Sequence, residues 1–198
     1  MEYNERDIEY PALIDFVQRK NIKSILDVGA FYSYKTYANE LRKLVKTYHA
    51  LDIDPDPITE KIVDKYFIKN VIDHDETYEC VSCISTIEHS GISSYKNDNY
   101  IKERFKIFAK LSKLYTKYLF ITFPYGKESF HENEFANITP EQLDTFKSFC
   151  AKVETKFYYS PNPQGKEPFQ IVDKSFADTV EYIKELGTRC ICIMEIEK

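Results

Sequence analysis

The sequence predicts an α/β fold with a mostly parallel sheet covered by helices on both faces. Two observations carry this. Short apolar runs ended by turn residues alternate along the chain with stretches of helical period. Acidic residues follow three consecutive strand-like runs, as expected where strands of a parallel sheet end at a ligand crevice.

The elements follow in order. Pro11, then Leu13, Ile14 and Val17, predicts an opening amphipathic helix with proline in its permissive first turn, within an N-terminal helical segment of about 1–21. Ser24 to Val28 is a short apolar run closed by Gly29, a buried strand. Residues 37–46 carry apolar side chains at 37, 38, 41, 44 and 45, a helical period. Tyr48 to Ile53 is a second strand, stopped by Asp54, Pro55 and Pro57. Lys65 to Val71 is a third, Tyr78 to Ser85 a fourth. Tyr100 to Leu114 is a long helix with Ile101, Phe105, Phe108 and Leu111 on one stripe. Tyr118 to Phe123 is a fifth strand, ended by Pro124 and Gly126. Thr139, as N-cap ahead of Pro140 and Glu141, starts a helix carrying Leu143, Phe146 and Phe149. Lys152 to Tyr159 and Arg189 to Ile196 are strand-like. Between them lie a proline-rich loop (Pro161, Pro163, Pro168) and a helix predicted over Ser175 to Leu186.

Composition narrows the function classes. A chain of 198 residues, 43% hydrophobic and 30% charged, suits one folded domain over 1–198. No run approaches the roughly 18 apolar residues of a spanning helix, so no membrane role is expected. The net charge of −5, without a basic block, argues against a large nucleic-acid footprint. Five cysteines and an acidic N-terminus suit reduced thiols and a cytoplasmic location. The five glycines, at 29, 91, 126, 165 and 187, form neither a G-x-G-x-x-G nor a Walker A pattern.

In a parallel sheet the residues just past each strand carry the chemistry. Here these are Asp27-Val28-Gly29-Ala30-Phe31, Asp52-Ile53-Asp54, Ile72-Asp73, Ser85 to Gly91, and Pro124-Tyr125-Gly126. A carboxylate after the second strand can accept hydrogen bonds from both hydroxyls of a ribose and disfavours a phosphate there. The expected ligand is a nucleoside without a ribose phosphate.

SILDVGAFYSY resembles the first motif of class I S-adenosylmethionine-dependent methyltransferases. HALDIDP, VIDHD, CISTIEHSG and LFITFPYG follow in the order of that family's later motifs, and EQLDTFKSF, KVETKFYYS and RCICIMEIEK fit its C-terminal half. The resemblance covers roughly residues 5–198. It implies a Rossmann-like methyltransferase fold, doubly wound, with an antiparallel C-terminal strand. It implies S-adenosylmethionine as cofactor and a small molecule or sugar of a biosynthetic type as substrate. By this resemblance Gly29 and Ala30 line the cofactor's amino-acid end, with Asp27 near its ammonium group and Phe31 in the same loop. Asp52 holds the ribose and Ile53 flanks the adenine. Asp73 takes the adenine amino group, with Ile72 beside the ring, and Ser85 and Thr86 lie under the methionine portion. Arg6 and Tyr10 are placed to close over cofactor or substrate. The family's second and third glycines are replaced by Phe31 and Ser33, so the turn is built differently here.

Glu88 and His89 stand where a general base would face the methyl. Tyr125, then His131 and Glu132, are the next catalytic candidates. A metal site from Glu88, His89 and His131 lacks a second spaced pair of ligands, so no metal is expected. Cys80 and Cys83, three apart on a strand, point to opposite faces; Cys190 and Cys192 share a face and suit packing. The expected activity is methyl transfer to an O- or N-nucleophile of a small molecule, with a homodimer left open. The alternatives are a non-catalytic methyltransferase-like binding or assembly protein, motivated by Phe31 and Ser33, and an RNA or protein methyltransferase.

Overall fold

The computed structural model describes residues 4–30, 35–91, 99–131, 135–164, 166–187 and 189–198. The strands are β1 (Ser24–Val28), β2 (Thr47–Asp52), β3 (Lys65–Ile68), β4 (Tyr78–Ile84), β5 (Tyr115–Tyr125), β6 (Phe130–His131), β7 (Phe135–Ala136), β8 (Lys152–Ser160), β9 (Gln170–Val172) and β10 (Arg189–Glu197). The helices are α1 (Arg6–Lys20), α2 (Lys35–Leu44), α3 (Asn99–Leu114), α4 (Pro140–Ser148) and the single turn α5 (Lys174–Ala177).

Eight strands form one sheet in the order β3-β2-β1-β4-β5-β10-β8-β9, and β6 pairs with β7 separately. The β3-β2-β1-β4-β5 half is parallel throughout. β10 runs antiparallel to both β5 and β8, and β9 antiparallel to β8. The antiparallel C-terminal strand expected from the sequence is therefore present as β10.

Alternation along the strands sorts the core into two layers. Ile25, Cys80, Phe120, Ile191 and Ile193 pack under α1 and α2, with Leu13, Phe16, Ala38 and Leu41. Leu26, Cys83, Ile121, Cys192 and Met194 pack under α3 and α4, with Phe108, Leu111, Leu143 and Phe146. Cys80 and Cys83 thus face opposite layers, and Cys190 shares a layer with Cys192. Burial raises the thiol pKa of all four, as suits apolar packing.

Three local expectations are corrected. Pro11 lies inside α1 rather than in its first turn, because the helix starts at Arg6. The earlier start is fixed by Glu9, fully buried and gripped by the sheet, which outweighs the backbone bond a mid-helix proline forfeits. Pro124 does not end β5 but sits within it. Pairing with β4 stops at Thr122, so the missing N–H breaks no parallel ladder bond, and the Pro124 carbonyl accepts from Ile138. Finally, the helix predicted over Ser175 to Leu186 is only the one turn of α5. Beyond it the chain docks on the turn after β5, where the Lys127 N–H donates to the Val180 carbonyl at 2.9 Å. A Cβ on Gly126 would stand 2.4 Å from that carbonyl oxygen, so glycine permits the approach.

The strand order reverses between β1 and β4. That switch point leaves a crevice at the carboxyl ends of the parallel strands.

Candidate functional site

A cavity of about 1290 Å³ opens at those strand ends. That is somewhat above the roughly 300–1,000 Å³ of an ordinary small-ligand pocket.

At the end of β1, Asp27 is buried yet reaches the cavity. Its carboxylate accepts from Ser82 Oγ at 2.7 Å, Tyr48 Oη at 3.1 Å and Tyr37 Oη at 3.4 Å. Burial nevertheless pushes its pKa up to about 6, against the pull of those hydroxyls. Gly29 lines the cavity with φ +79°. A Cβ there would stand 2.0 Å from Thr86 Oγ1, so the ends of β1 and β4 come together only because the position is glycine. Ala30 is buried and does not line the cavity. Phe31, like Ser33, lies outside the described residues.

At the end of β2, Asp52 and Ile53 both line the cavity. Asp52 accepts the backbone N–H of Asp54 at 3.1 Å, which orients its carboxylate. Ile53 and Ile58 are 66% and 55% exposed, two apolar side chains open to the same space. After β3, Asn70 accepts the Ile72 N–H and caps the short turn Val71–Asp73. Lys69, Asn70 and Val71 line the cavity, whereas Ile72 and Asp73 do not. Asp73 is exposed. The cap presents the start of this turn to the cavity and leaves Asp73 outside it.

At the end of β4, Ser85 adopts φ +39°, a costly conformation for a residue with a Cβ. It is held from three sides. Its N–H donates to the carbonyl and to Oγ1 of Thr122, both at 3.1 Å. Its hydroxyl donates to Glu9 at 2.6 Å. Ser85 and Thr86 line the cavity, as does half-exposed His89. His89 Nε2 lies 3.8 Å from Glu88 Oε1. Glu88 itself is buried and does not reach the cavity wall. Burial pushes its pKa up to about 8, with Arg6 and Arg104 opposing. Arg104 is wholly buried and donates to the carbonyls of Glu88, at 2.6 Å, and Ala136, at 2.8 Å, fixing the turn that carries His89.

Tyr125 lies away from the cavity. Because β5 continues through it, the side chain is buried in the sheet and its hydroxyl donates to Asp178 at 2.5 Å. The His131 side chain and Glu132 lie outside what is described.

The roof is the start of α1. Asn4, Glu5, Arg6 and Tyr10 line the cavity. Tyr10 stacks on Tyr37, with ring centroids 4.1 Å apart. Sequence reasoning reached Arg6 and Tyr10 but missed Glu9, which accepts from Ser85 and Thr122 at 2.6 Å each and pairs with Arg6. The signal was present: Glu9 falls in the helical stripe with Leu13, Phe16 and Val17, where an acid has no apolar reason to be.

No family model matches the chain, and no curated protein sequence matches it. Solved structures do. The magnesium protoporphyrin IX methyltransferase of Synechocystis with bound SAH superposes at TM-score 0.62 and 8% identity, over 96% of this chain and 82% of that one. The N-methyltransferase NodS of Bradyrhizobium japonicum, in complex with S-adenosyl-L-homocysteine, gives 0.59 at 9% identity, over 98% and 87%. A SAM-dependent methyltransferase from Archaeoglobus fulgidus gives 0.55 at 14% identity, over 96% and 94%. The fold is that of the S-adenosylmethionine-dependent methyltransferases. Among the described residues no helix is long and apolar enough to cross a membrane, and no group of three or more His, Cys, Asp or Glu is arranged to hold a metal ion.

Proposed function

We propose that this chain is an enzyme that transfers a methyl group from S-adenosylmethionine to an O- or N-nucleophile of a small molecule. The observation that carries the reading is the rim after β2: an oriented carboxylate, Asp52, beside two exposed isoleucines, at the switch point of the sheet. A ribose diol suits the carboxylate and an adenine ring suits Ile53 and Ile58. Asp27 and Gly29, with Ser85 and Thr86, would border the amino-acid end of the same ligand.

The cofactor supplies a methyl group on a sulfonium, whose departure disperses positive charge. The chain's own task is to hold the nucleophile in line, where orientation supplies much of the acceleration. His89, facing the cavity from a turn fixed by Arg104, takes the proton of an acceptor that must lose one. Glu88 stands behind it, with Oε1 3.8 Å from His89 Nε2. A cavity of about 1290 Å³, rather than a flat surface, is in keeping with a small-molecule acceptor.

Calorimetric titration with S-adenosylhomocysteine tests the reading. A dissociation constant on the order of 10 μM, about −7 kcal/mol, is expected. Absence of binding at millimolar ligand overturns it.

A further inference from the structure

Acids gather at one end of the cavity: Asp27, Asp52, Asp54 and Asp56 line it past β1 and β2, with Lys69 after β3 beside them. On the β4 side, in the first turn of α1, stands Arg6. The acids nearest this end have bases outside the cavity: Glu5 pairs with Arg189 at 2.6 Å, and Glu103 lies 3.6 Å from Lys106.

Arg6 is built into place. Its side chain is three-quarters buried, lines the cavity, and leans on the face of Tyr10 at 5.8 Å. The Glu9 carboxylate divides its two oxygens. Oε1 accepts from the Ser85 and Thr122 hydroxyls, which ties it to the ends of β4 and β5, and Oε2 accepts from Arg6 Nη1. A guanidinium has five N–H donors in a rigid fork. Among the described residues, only Nη1 has a hydrogen-bond acceptor in the protein. A buried carboxylate that aims an arginine while most of its donors stay unused makes a receptor for a second anion.

We propose that the methyl acceptor carries an anionic group, a carboxylate or a phosphate, and that Arg6 binds it. This rests on the methyl-transfer reading above and adds the acceptor's chemical class. The acidic end takes the nucleoside, with the sulfonium toward Ser85 and Thr86. The Arg6 end takes the acceptor's anion and so sets which acceptor atom faces His89.

The test is calorimetric titration of inorganic phosphate and of acetate into the full chain, with and without saturating S-adenosylhomocysteine. Millimolar binding of at least one anion is expected, weakened at least about tenfold in Arg6→Gln and partly retained in Arg6→Lys. Equal binding to wild type and Arg6→Gln, or no binding to wild type at about 100 mM, a free energy near −1.4 kcal/mol, overturns the proposal. So does anion binding that is lost once S-adenosylhomocysteine saturates the site, which would give Arg6 to the cofactor's own carboxylate. Glu9→Gln gives a second arm that does not need Arg6→Gln to fold. It keeps an oxygen for Ser85 and Thr122 but removes the carboxylate that aims Arg6, so phosphate binding weakens by about threefold or more at an unchanged urea midpoint. Unchanged or tighter binding in that variant counts against the assignment. If the anion binds through Arg6 while S-adenosylhomocysteine does not bind at all, the methyl-transfer reading falls and the anion site stands.

Discussion

The two halves of the sheet bury different chemistry. In the parallel half, the ends of β1, β4 and β5 sink polar groups into the interior. Asp27, Ser82, Ser85 and Thr122 are buried there, with Glu9 and Glu88 beside them. In the antiparallel half, β10 buries Cys190, Ile191, Cys192, Ile193, Met194 and Ile196. A buried polar group costs about 1–3 kcal/mol unless its bonds are met. Concentrating that cost at one set of strand ends, together with the left-handed Ser85, separates the region shaped for ligands from the region shaped for stability.

Substitutions in each half test that division. The largest effect is expected from Ile193→Ala in β10, about 2–5 kcal/mol of unfolding free energy by urea titration. Its affinity for S-adenosylhomocysteine stays at the wild-type value, and a parallel loss of affinity would break the division. Gly29→Ala comes next. The overlap with Thr86 and the positive φ cost about 2–4 kcal/mol of stability, and ligand binding falls as well. Adding Thr86→Gly restores part of the stability, and a wild-type urea midpoint for the single variant would deny the close approach. Asp52→Ala weakens S-adenosylhomocysteine at least tenfold, about 1.4 kcal/mol, with an unchanged urea midpoint. Unchanged affinity removes Asp52 from the site.

Glu88→Gln shows itself through pH rather than at one condition. The folded carboxyl titrates near 8 and the unfolded one near 4.5, so the folded state holds the extra proton between these values. The stability this confers is full below pH 4.5 and is lost as pH rises through about 8. Unfolding free energies should fall less from pH 5 to 8 for Glu88→Gln, by up to about 3 kcal/mol. An equal fall in both proteins contradicts a buried, protonated Glu88.

The sequence made the sheet readable where local and tertiary preferences agree. Ser24 to Val28 and Tyr78 to Ile84 are short, mostly apolar runs because both faces are covered, and Thr139 with Pro140 starts α4 by local chemistry alone. It misled where a distant contact decides. Pro124 reads as a strand end until β10 is known to lie beside it, and residues 178–186 read as a helix until the turn after β5 takes the Val180 carbonyl. The site divides the same way. Asp52, Ile53, Ser85, Thr86 and His89 follow from being next after a strand. Asp73 does not line the cavity, because the Asn70 cap turns the start of that turn inward, and Tyr125 does not, because its strand runs on into the sheet.

The most direct measurement is a crystal soaked with S-adenosylhomocysteine. The account predicts both ribose hydroxyls within about 3 Å of the Asp52 carboxylate, the adenine against Ile53 and Ile58, and the sulfur beside Ser85 and Thr86, facing His89. A nucleoside bound away from Asp52, or a cavity still empty at saturating ligand, would contradict it.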